Sequence, residues 1–342
     1  MSEVGDDLPA EVADLASAIL ESARSSTDRR NISRLVRATV NLVRGPGSSL
    51  DVKIASAALQ EMAKAYEVFA PWRDVPKVTI FGSARTRHDD PIYQLTVRAA
   101  AELADRGYMV VTGAGPGIME AGMVGAGRER SIGVSIRLPF ETGANSVIAG
   151  DEKYVSMRYF FTRKLMLVKE SHAFLCMPGG FGTLDETFEL LTLAQTAKSV
   201  PVPVVFLEIE GRPFWTPLMA TLEPLLLGQG LISPEDTSLY TVTDDVDAAV
   251  AEFTGFYANY HSIRFVADTM IVRMRRSIPD DEFEAFVRRH APLTDGSPIA
   301  RTPPTDAEVR DRDVPDLPRI TVRYAAKGFA ALRPLIDDIN RW

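Results

Sequence analysis

Short apolar runs alternate with longer helical stretches from Lys77 onward, and this alternation constrains the fold more than any other feature of the sequence. Several of the runs are nearly continuous in hydrophobic residues, as expected of parallel strands covered on both faces. The pattern predicts a three-layer, doubly wound α/β fold with a mainly parallel, Rossmann-like sheet. The predicted strands are Val78–Phe81, Met109–Thr112, Ile132–Ile136, Ala173–Met177 and Val204–Leu207.

The segments on either side of this repeat differ from it in character. The N-terminal segment is predicted to be helical over 8–44 and 51–69, with a break at the glycine- and proline-containing residues between them. In the C-terminal segment, the proline-rich residues 291–318 are predicted to form an irregular connector. The apolar tail from Ile320 to Trp342 is expected to dock on the body or on a partner subunit. The predicted divisions are a helical N-terminal extension at 1–72, an α/β catalytic domain at 73–260 and a C-terminal extension at 261–342.

Composition narrows the range of partners. The net charge of −8 and the isoelectric point near 5.2 argue against nucleic-acid binding and favour a small ligand. The single cysteine, Cys176, lies in an apolar run and cannot form an internal disulfide, which predicts a cytoplasmic location. The acidic N-terminal residues do not resemble a secretory signal, and no apolar stretch is long enough to predict a membrane span.

Glycine-rich loops follow the strands predicted at 78–81, 109–112 and 173–177. Ligands of open parallel sheets bind where loops leave the carboxyl ends of the strands, so these loops predict a shared site. The third loop is followed by a helix whose first N–H groups and dipole suit a phosphate, and Thr183 adds a hydroxyl. The candidate binding residues are Gly82, Ser83, Gly115, Gly117, Met119, Gly179, Gly180, Gly182 and Thr183. The G-x-G-x-x-G and P-loop patterns are absent, which disfavours a dinucleotide oxidoreductase or a P-loop NTPase.

Two charged residues near these loops admit alternative interpretations. The spacing Thr183-x-x-Glu186 is typical of a capping box, in which Glu186 would have a structural role. Arg163 lies among aromatic and apolar neighbours at helical spacing, so its head either extends to water or meets an anion in a partly buried site. The four histidines are scattered, with no pattern that predicts a metal site, and His261 is expected to be a hydrogen-bonded packing residue.

Residues 157–164, followed by Pro178-Gly179-Gly180-Phe181-Gly182-Thr183-Leu184-Asp185-Glu186, closely resemble the LOG family of cytokinin-activating phosphoribohydrolases, whose members are often mislabelled as lysine decarboxylases. Segments 81–85, 113–120 and 138–141 also resemble the family, so the likeness covers about 77–260. It implies a Rossmann-like fold, a homodimer or higher homo-oligomer, and release of a free base and ribose 5-phosphate from AMP or cytokinin ribotides. It implies no metal or organic cofactor.

The resemblance assigns catalytic roles to Arg163 and Glu186, places the phosphate at 179–183, and adds Lys164 as a binding residue beside the arginine. Breaking an N-glycosidic bond builds positive charge on the ribose, and a carboxylate such as Glu186 can stabilise that charge. Arg163 would hold phosphate or assist departure of the base. Phe160 stands where short plant-type members have methionine. The alternative hypothesis is a non-catalytic nucleotide-binding or carrier protein.

Overall fold

A computed structural model describes residues 10–23, 26–138, 143–325 and 328–342. Contacts within the chain divide it into two compact units, Met1–Ala63 and Lys64–Trp342. The first unit is helical where it is described, and Ala16 and Leu20 of its first helix are buried. The helices that begin in this unit are α1 (Ala10–Glu21), α2 (Ser26–Arg44) and α3 (Ser49–Phe69). None of the helices described has both the length and the apolar character that a bilayer span requires.

A parallel sheet forms the centre of the second unit and confirms the predicted fold class. Within the described residues its seven strands are β1 (Lys77–Phe81), β2 (Met109–Thr112), β3 (Ser131–Ile136), β4 (Tyr154–Met157), β5 (Ala173–Cys176), β6 (Val204–Leu207) and β7 (Thr241–Thr243). Their spatial order is β4-β3-β2-β1-β5-β6-β7, and every neighbouring pair is parallel. The five predicted strands are present, whereas β4 and β7 were not predicted.

Helices cover both faces of this sheet. They are α4 (Pro91–Asp105), α5 (Ile118–Ala126), α6 (Phe160–Lys169), α7 (Phe181–Gln195), α8 (Trp215–Gly228) and α9 (Val246–Phe256). On β1, Val78 and Ile80 pack in a core cluster with residues of α4 and α9. Thr79, which points the other way, donates its hydroxyl to the carbonyl of Leu167 on α6 at 3.3 Å. The alternation of strand side chains therefore produces the three-layer arrangement.

The strand order reverses between β1 and β5, which opens a crevice at the carboxyl edge of the sheet. The loops that meet there are joined through their backbones. The Ser83 N–H donates to the carbonyl of Pro178 at 3.2 Å, and the Ile118 N–H donates to the carbonyl of Ser83 at 3.0 Å. Gly117 has φ +69°, and a β-carbon there would lie 2.4 Å from the Ser83 carbonyl oxygen, so this junction requires glycine.

The C-terminal residues contain a second sheet that the sequence did not predict. Its four described strands are antiparallel in the order β10-β11-β9-β8 and comprise β8 (Tyr260–Val266), β9 (Thr269–Met274), β10 (Ala300–Arg301) and β11 (Arg319–Val322). The accompanying helices are α10 (Asp280–His290), α11 (Asp306–Asp311) and α12 (Arg333–Ile339). Ile320, Leu335 and Ile339 of the apolar tail are buried in one cluster with Val272 and Phe286. Residues 291–318, expected to be irregular, thus include β10 and α11.

Candidate active site

A cleft of about 1130 Å³ lies at the carboxyl edge of the parallel sheet, where the strand order reverses. The loops after β1, β2 and β5 all contribute to its walls, as the glycine pattern predicted. The predicted residues that line it are Gly82, Ser83, Gly115, Met119, Arg163, Gly179, Gly180, Gly182, Thr183 and Glu186. Two others, Gly117 and Lys164, are not among the lining residues.

The N-terminus of α7 opens directly into this cleft. Gly180 occupies the N-cap position, and the first intrahelical bond runs from the Leu184 N–H to the Gly180 carbonyl at 3.0 Å. The N–H groups of Phe181, Gly182 and Thr183 therefore have no acceptor within the helix, and these residues line the cleft. Exposed N–H groups at the positive end of a helix dipole form a site suited to a phosphate.

The position of this helix start corrects the interpretation of Glu186 from spacing alone. A capping box would require Thr183 at the N-cap, but α7 begins at Phe181, so Thr183 is already in its first turn. The Thr183 side chain instead lies under the loop, where a β-carbon on Gly179 would be 2.1 Å from its Oγ1. The capping-box interpretation is wrong, and the Glu186 carboxyl group faces the cleft.

Arg163 and Glu186 form a close, largely buried pair. Arg163 Nη1 lies 3.5 Å from Glu186 Oε1, and the two side chains are 12% and 9% exposed. Arg163 Nε also donates to the carbonyl of Val134 on β3 at 3.0 Å. The guanidinium fits because position 113 is glycine, since a β-carbon there would lie 2.2 Å from Nη2. Of the two alternatives for Arg163, the structure therefore places its head in a partly buried site.

Burial raises the pKa of Glu186, while the positive charges of Arg163 and Lys164 oppose that rise. The cleft thus holds a carboxyl group whose ionised form depends on the cations beside it. Once ionised, this carboxylate lies in a partly dehydrated site, where its interaction with a developing positive charge is stronger than in water.

Lys164 contacts carboxylates rather than the cleft. Its Nζ lies 2.7 Å from Asp185 and 2.7 Å from Glu189, and its side chain is 15% exposed. Burial alone would lower the pKa of Lys164, but the bonds to these two carboxylates outweigh it and raise the pKa. Because Lys164 is on α6 and both acids are on α7, this ion pair fastens together the helices that carry Arg163 and Glu186.

Several lining residues were not identified from the sequence. On one side of the cleft, β3, the residue that follows it and β4 contribute Ser135, Arg137, Tyr154 and Ser156. On the other side, Phe214 and Leu218 line the cleft from the region of α8, and Arg85 lies in the first loop. Arg137 directly follows the predicted strand at 132–136, so its strand-end position was a usable signal. Tyr154 and Ser156 lie on the unpredicted strand β4.

A buried carboxylate, Glu208, fixes the position of Phe214. Its Oε2 accepts the N–H groups of Phe214 and Trp215 at 2.7 Å each and that of Thr216 at 3.1 Å. Its Oε1 accepts the Thr216 hydroxyl. Burial would raise the pKa of Glu208, but these hydrogen bonds outweigh burial and lower it. The start of α8, and with it one wall of the cleft, therefore depends on this carboxylate.

Other chemically active side chains lie outside the cleft. Cys176 is fully buried, and burial raises the pKa of its thiol to about 12, so it is not a thiolate at neutral pH. His261 lies on β8 with its Nδ1 2.8 Å from the Ser262 hydroxyl, as expected of a hydrogen-bonded packing residue. Across the described parts of the chain, no three His, Cys, Asp or Glu side chains group as metal ligands. Of the family-like segment 138–141, residues 139–141 lie outside the described residues.

Comparison with known proteins adds independent findings. A family model described as "Possible lysine decarboxylase" matches residues 113–253. A probable cytokinin riboside 5′-monophosphate phosphoribohydrolase of Oryza sativa subsp. japonica is 28% identical over 47% of this chain and 71% of its own length. A cytokinin riboside 5′-monophosphate phosphoribohydrolase of Arabidopsis thaliana is 30% identical over 40% of this chain, which spans 63% of that protein. A solved structure of the molybdenum cofactor carrier protein of Chlamydomonas reinhardtii is 22% identical, covers 52% of this chain and 94% of its own, and has a TM-score of 0.36.

Proposed function

This chain belongs to the LOG family, and from that membership and the geometry of its cleft we propose that it hydrolyses the N-glycosidic bond of a nucleoside 5′-monophosphate. The products are the free base and ribose 5-phosphate, and AMP and cytokinin ribotides are the expected type of substrate. The observation that carries the proposal is the pairing of Arg163 with Glu186 at 3.5 Å, beside a helix N-terminus open to a phosphate.

The proposed reaction begins with the phosphate bound to the N–H groups of residues 181–183 and to Ser83. The ribose then lies over Glu186, whose carboxylate stabilises the positive charge that builds on the sugar as the C1′–N bond breaks. Water adds to C1′, and its proton passes to the departing base. Arg163 keeps Glu186 ionised and donates hydrogen bonds to the nucleotide. Anchoring at the phosphate positions the bond that reacts, so binding energy remote from C1′ contributes to the rate.

The direct test is product analysis with AMP and a cytokinin ribotide, in buffer containing a chelator. Chromatography should detect free base and ribose 5-phosphate in equal amounts. Adenosine, which lacks the anchoring phosphate, should react far more slowly. If AMP raises the melting temperature while no base appears, the protein is a binding or carrier module instead. If neither nucleotide binds and no base is released from either, both the hydrolase and the carrier hypotheses are contradicted.

A homodimer or higher homo-oligomer is part of this proposal. Phe160, Phe161 and Leu165 on α6 are 53%, 56% and 45% exposed, which is unusual for adjacent large apolar side chains on a helix. Light scattering coupled to gel filtration should therefore give at least twice the 37.5 kDa chain mass. A fully active monomer at assay concentration would contradict this expectation. The cytoplasmic location and the lack of a nucleic-acid partner stay predictions.

A further inference from the structure

The cleft continues past Arg163 toward the β3 side of the sheet. The phosphate-type site lies at the loops after β5 and β1, and Glu186 reaches from α7 to Arg163. Arg163 in turn bonds to Val134 of β3. The path from the helix N-terminus through Glu186 and Arg163 thus runs toward β3. Because the sugar of a nucleotide separates its phosphate from its base, a base on this path lies at the carboxyl ends of β3 and β4.

The side chains there form a polar strip, defined as Ser135, Arg137, Tyr154 and Ser156. Ser135 is buried, and its Oγ lies 2.7 Å from the Tyr154 hydroxyl. Arg137 donates from Nε to the Ser156 hydroxyl at 3.3 Å, which orients its guanidinium. Nη1 and Nη2 of Arg137 have no hydrogen-bond partner within the described chain. The strip therefore presents a cationic pair of donors to the cleft.

A ligand that offers hydrogen-bond acceptors would match this strip better than a ligand that offers hydrogen-bond donors. The acidic residues that line the cleft, as far as it is described, are Asp185 and Glu186, and both are on α7 rather than beside Arg137. A guanidinium pairs in a bidentate manner with the O6 and N7 acceptors of a 6-oxopurine. Adenine presents N7 together with an N6 amino donor, so one of the two bonds is lost and two donors oppose each other.

We propose that the polar strip reads the base and selects 6-oxopurine nucleotides, such as IMP and GMP, over AMP, so that AMP is a substrate of the same cleft but not the preferred one. This inference rests on the proposed function, because it assigns the base end of the same cleft. The two proposals can be tested separately, because base preference can be measured as binding whether or not the N-glycosidic bond is cleaved.

The test compares the affinities of IMP, GMP and AMP by calorimetry, using Glu186→Gln to prevent turnover during the titration. IMP and GMP should bind roughly tenfold or more tightly than AMP, the usual discrimination of a bidentate arginine. Arg137→Met keeps an unbranched side chain but removes the donors, and it should remove most of this difference by weakening IMP and GMP more than AMP, which loses only the bond to N7. Arg137 is exposed, so the variant is expected to fold normally.

Arg85→Met is the matched control, because Arg85 is a second exposed arginine on the same cleft but follows β1 at the phosphate end. It should weaken all three nucleotides equally. AMP binding as tightly as IMP, or equal losses for every nucleotide in Arg137→Met, would overturn the proposal and indicate a phosphate contact instead. If the wild-type protein releases base from AMP and IMP at equal rates and with equal affinities, only the base preference fails. If it releases base from none, the proposed hydrolysis fails, and the affinity ranking still decides the role of Arg137.

Discussion

Replacing Gly113 with alanine should disable the cleft without unfolding the protein. The new β-carbon would lie 2.2 Å from Arg163 Nη2 and 2.6 Å from Met119 Sδ, whereas ordinary contacts begin at 3.4 Å. The guanidinium must therefore retreat by about 1 Å, and a misplacement of that size lowers a rate by about 10²-fold. Both displaced atoms are at the ends of flexible side chains, so the backbone can stay in place. The loss of the Arg163 bond to Val134 costs about 1–2 kcal/mol, which lowers the melting temperature by only a few degrees.

The assay is kcat/KM for base release from AMP, together with thermal unfolding of the same sample. Gly255→Ala is the matched control, because a β-carbon at this position in α9 meets no atom within 4 Å. It should leave activity unchanged and preserve or slightly raise stability. The double variant Gly113→Ala/Met119→Ala removes the methionine overlap but not the arginine overlap, so it should stay impaired. A folded Gly113→Ala protein with normal turnover would refute the role of the Arg163 position.

Two further predictions concern buried charge. The proposed mechanism needs ionised Glu186, whose pKa is raised by burial, so the rate should fall as pH decreases through a value above the usual 4.5. Lys164→Met removes a charge that lowers this pKa and should move the acid limb of the pH–rate profile to higher pH. If Lys164→Met leaves the acid limb at the same pH, the limb reports titration of the substrate phosphate and not of Glu186. Glu208→Gln should lower the free energy of unfolding by about 2 kcal/mol at pH 7. Because the folded-state pKa of Glu208 is depressed, this difference should shrink as pH falls below 4.5, and a constant difference in denaturation experiments would contradict it.

The centre of the parallel sheet was predictable because its strands are buried on both faces and read as continuous apolar runs. Strand β4 was missed because Tyr154 and Ser156 turn polar atoms toward the cleft and interrupt the apolar run. The C-terminal sheet was missed because its strands carry buried arginines. Both arginines are tolerated there because they share one carboxylate. Glu308 Oε1 lies 2.9 Å from Arg273 Nε and 2.7 Å from Arg319 Nη1. Such compensation comes from tertiary contacts and leaves no local pattern.

The candidate site was predictable where backbone geometry demands particular residues. Glycine at 113 and 117 marks close approaches of backbone or side chains, and these leave a signal in the sequence. The role of Glu186 was ambiguous because a helix start depends on the loop before it, and spacing alone placed that start three residues too late. The residues of the polar strip depend on the register of β3 with β4, in which Ser135 lies opposite Ser156. Register is a long-range property that the resemblance did not supply.

The most direct measurement is single-turnover release of adenine from AMP by wild-type protein and by Glu186→Gln. Since this side chain does not cap α7, the glutamine variant should fold and bind AMP with an affinity within a few-fold of wild type. A carboxylate about 4 Å from a developing unit charge contributes about 4 kcal/mol at an effective dielectric constant of about 20, so turnover should fall about 10³-fold. A folded glutamine variant that releases adenine at the wild-type rate would contradict the proposed chemistry of the cleft.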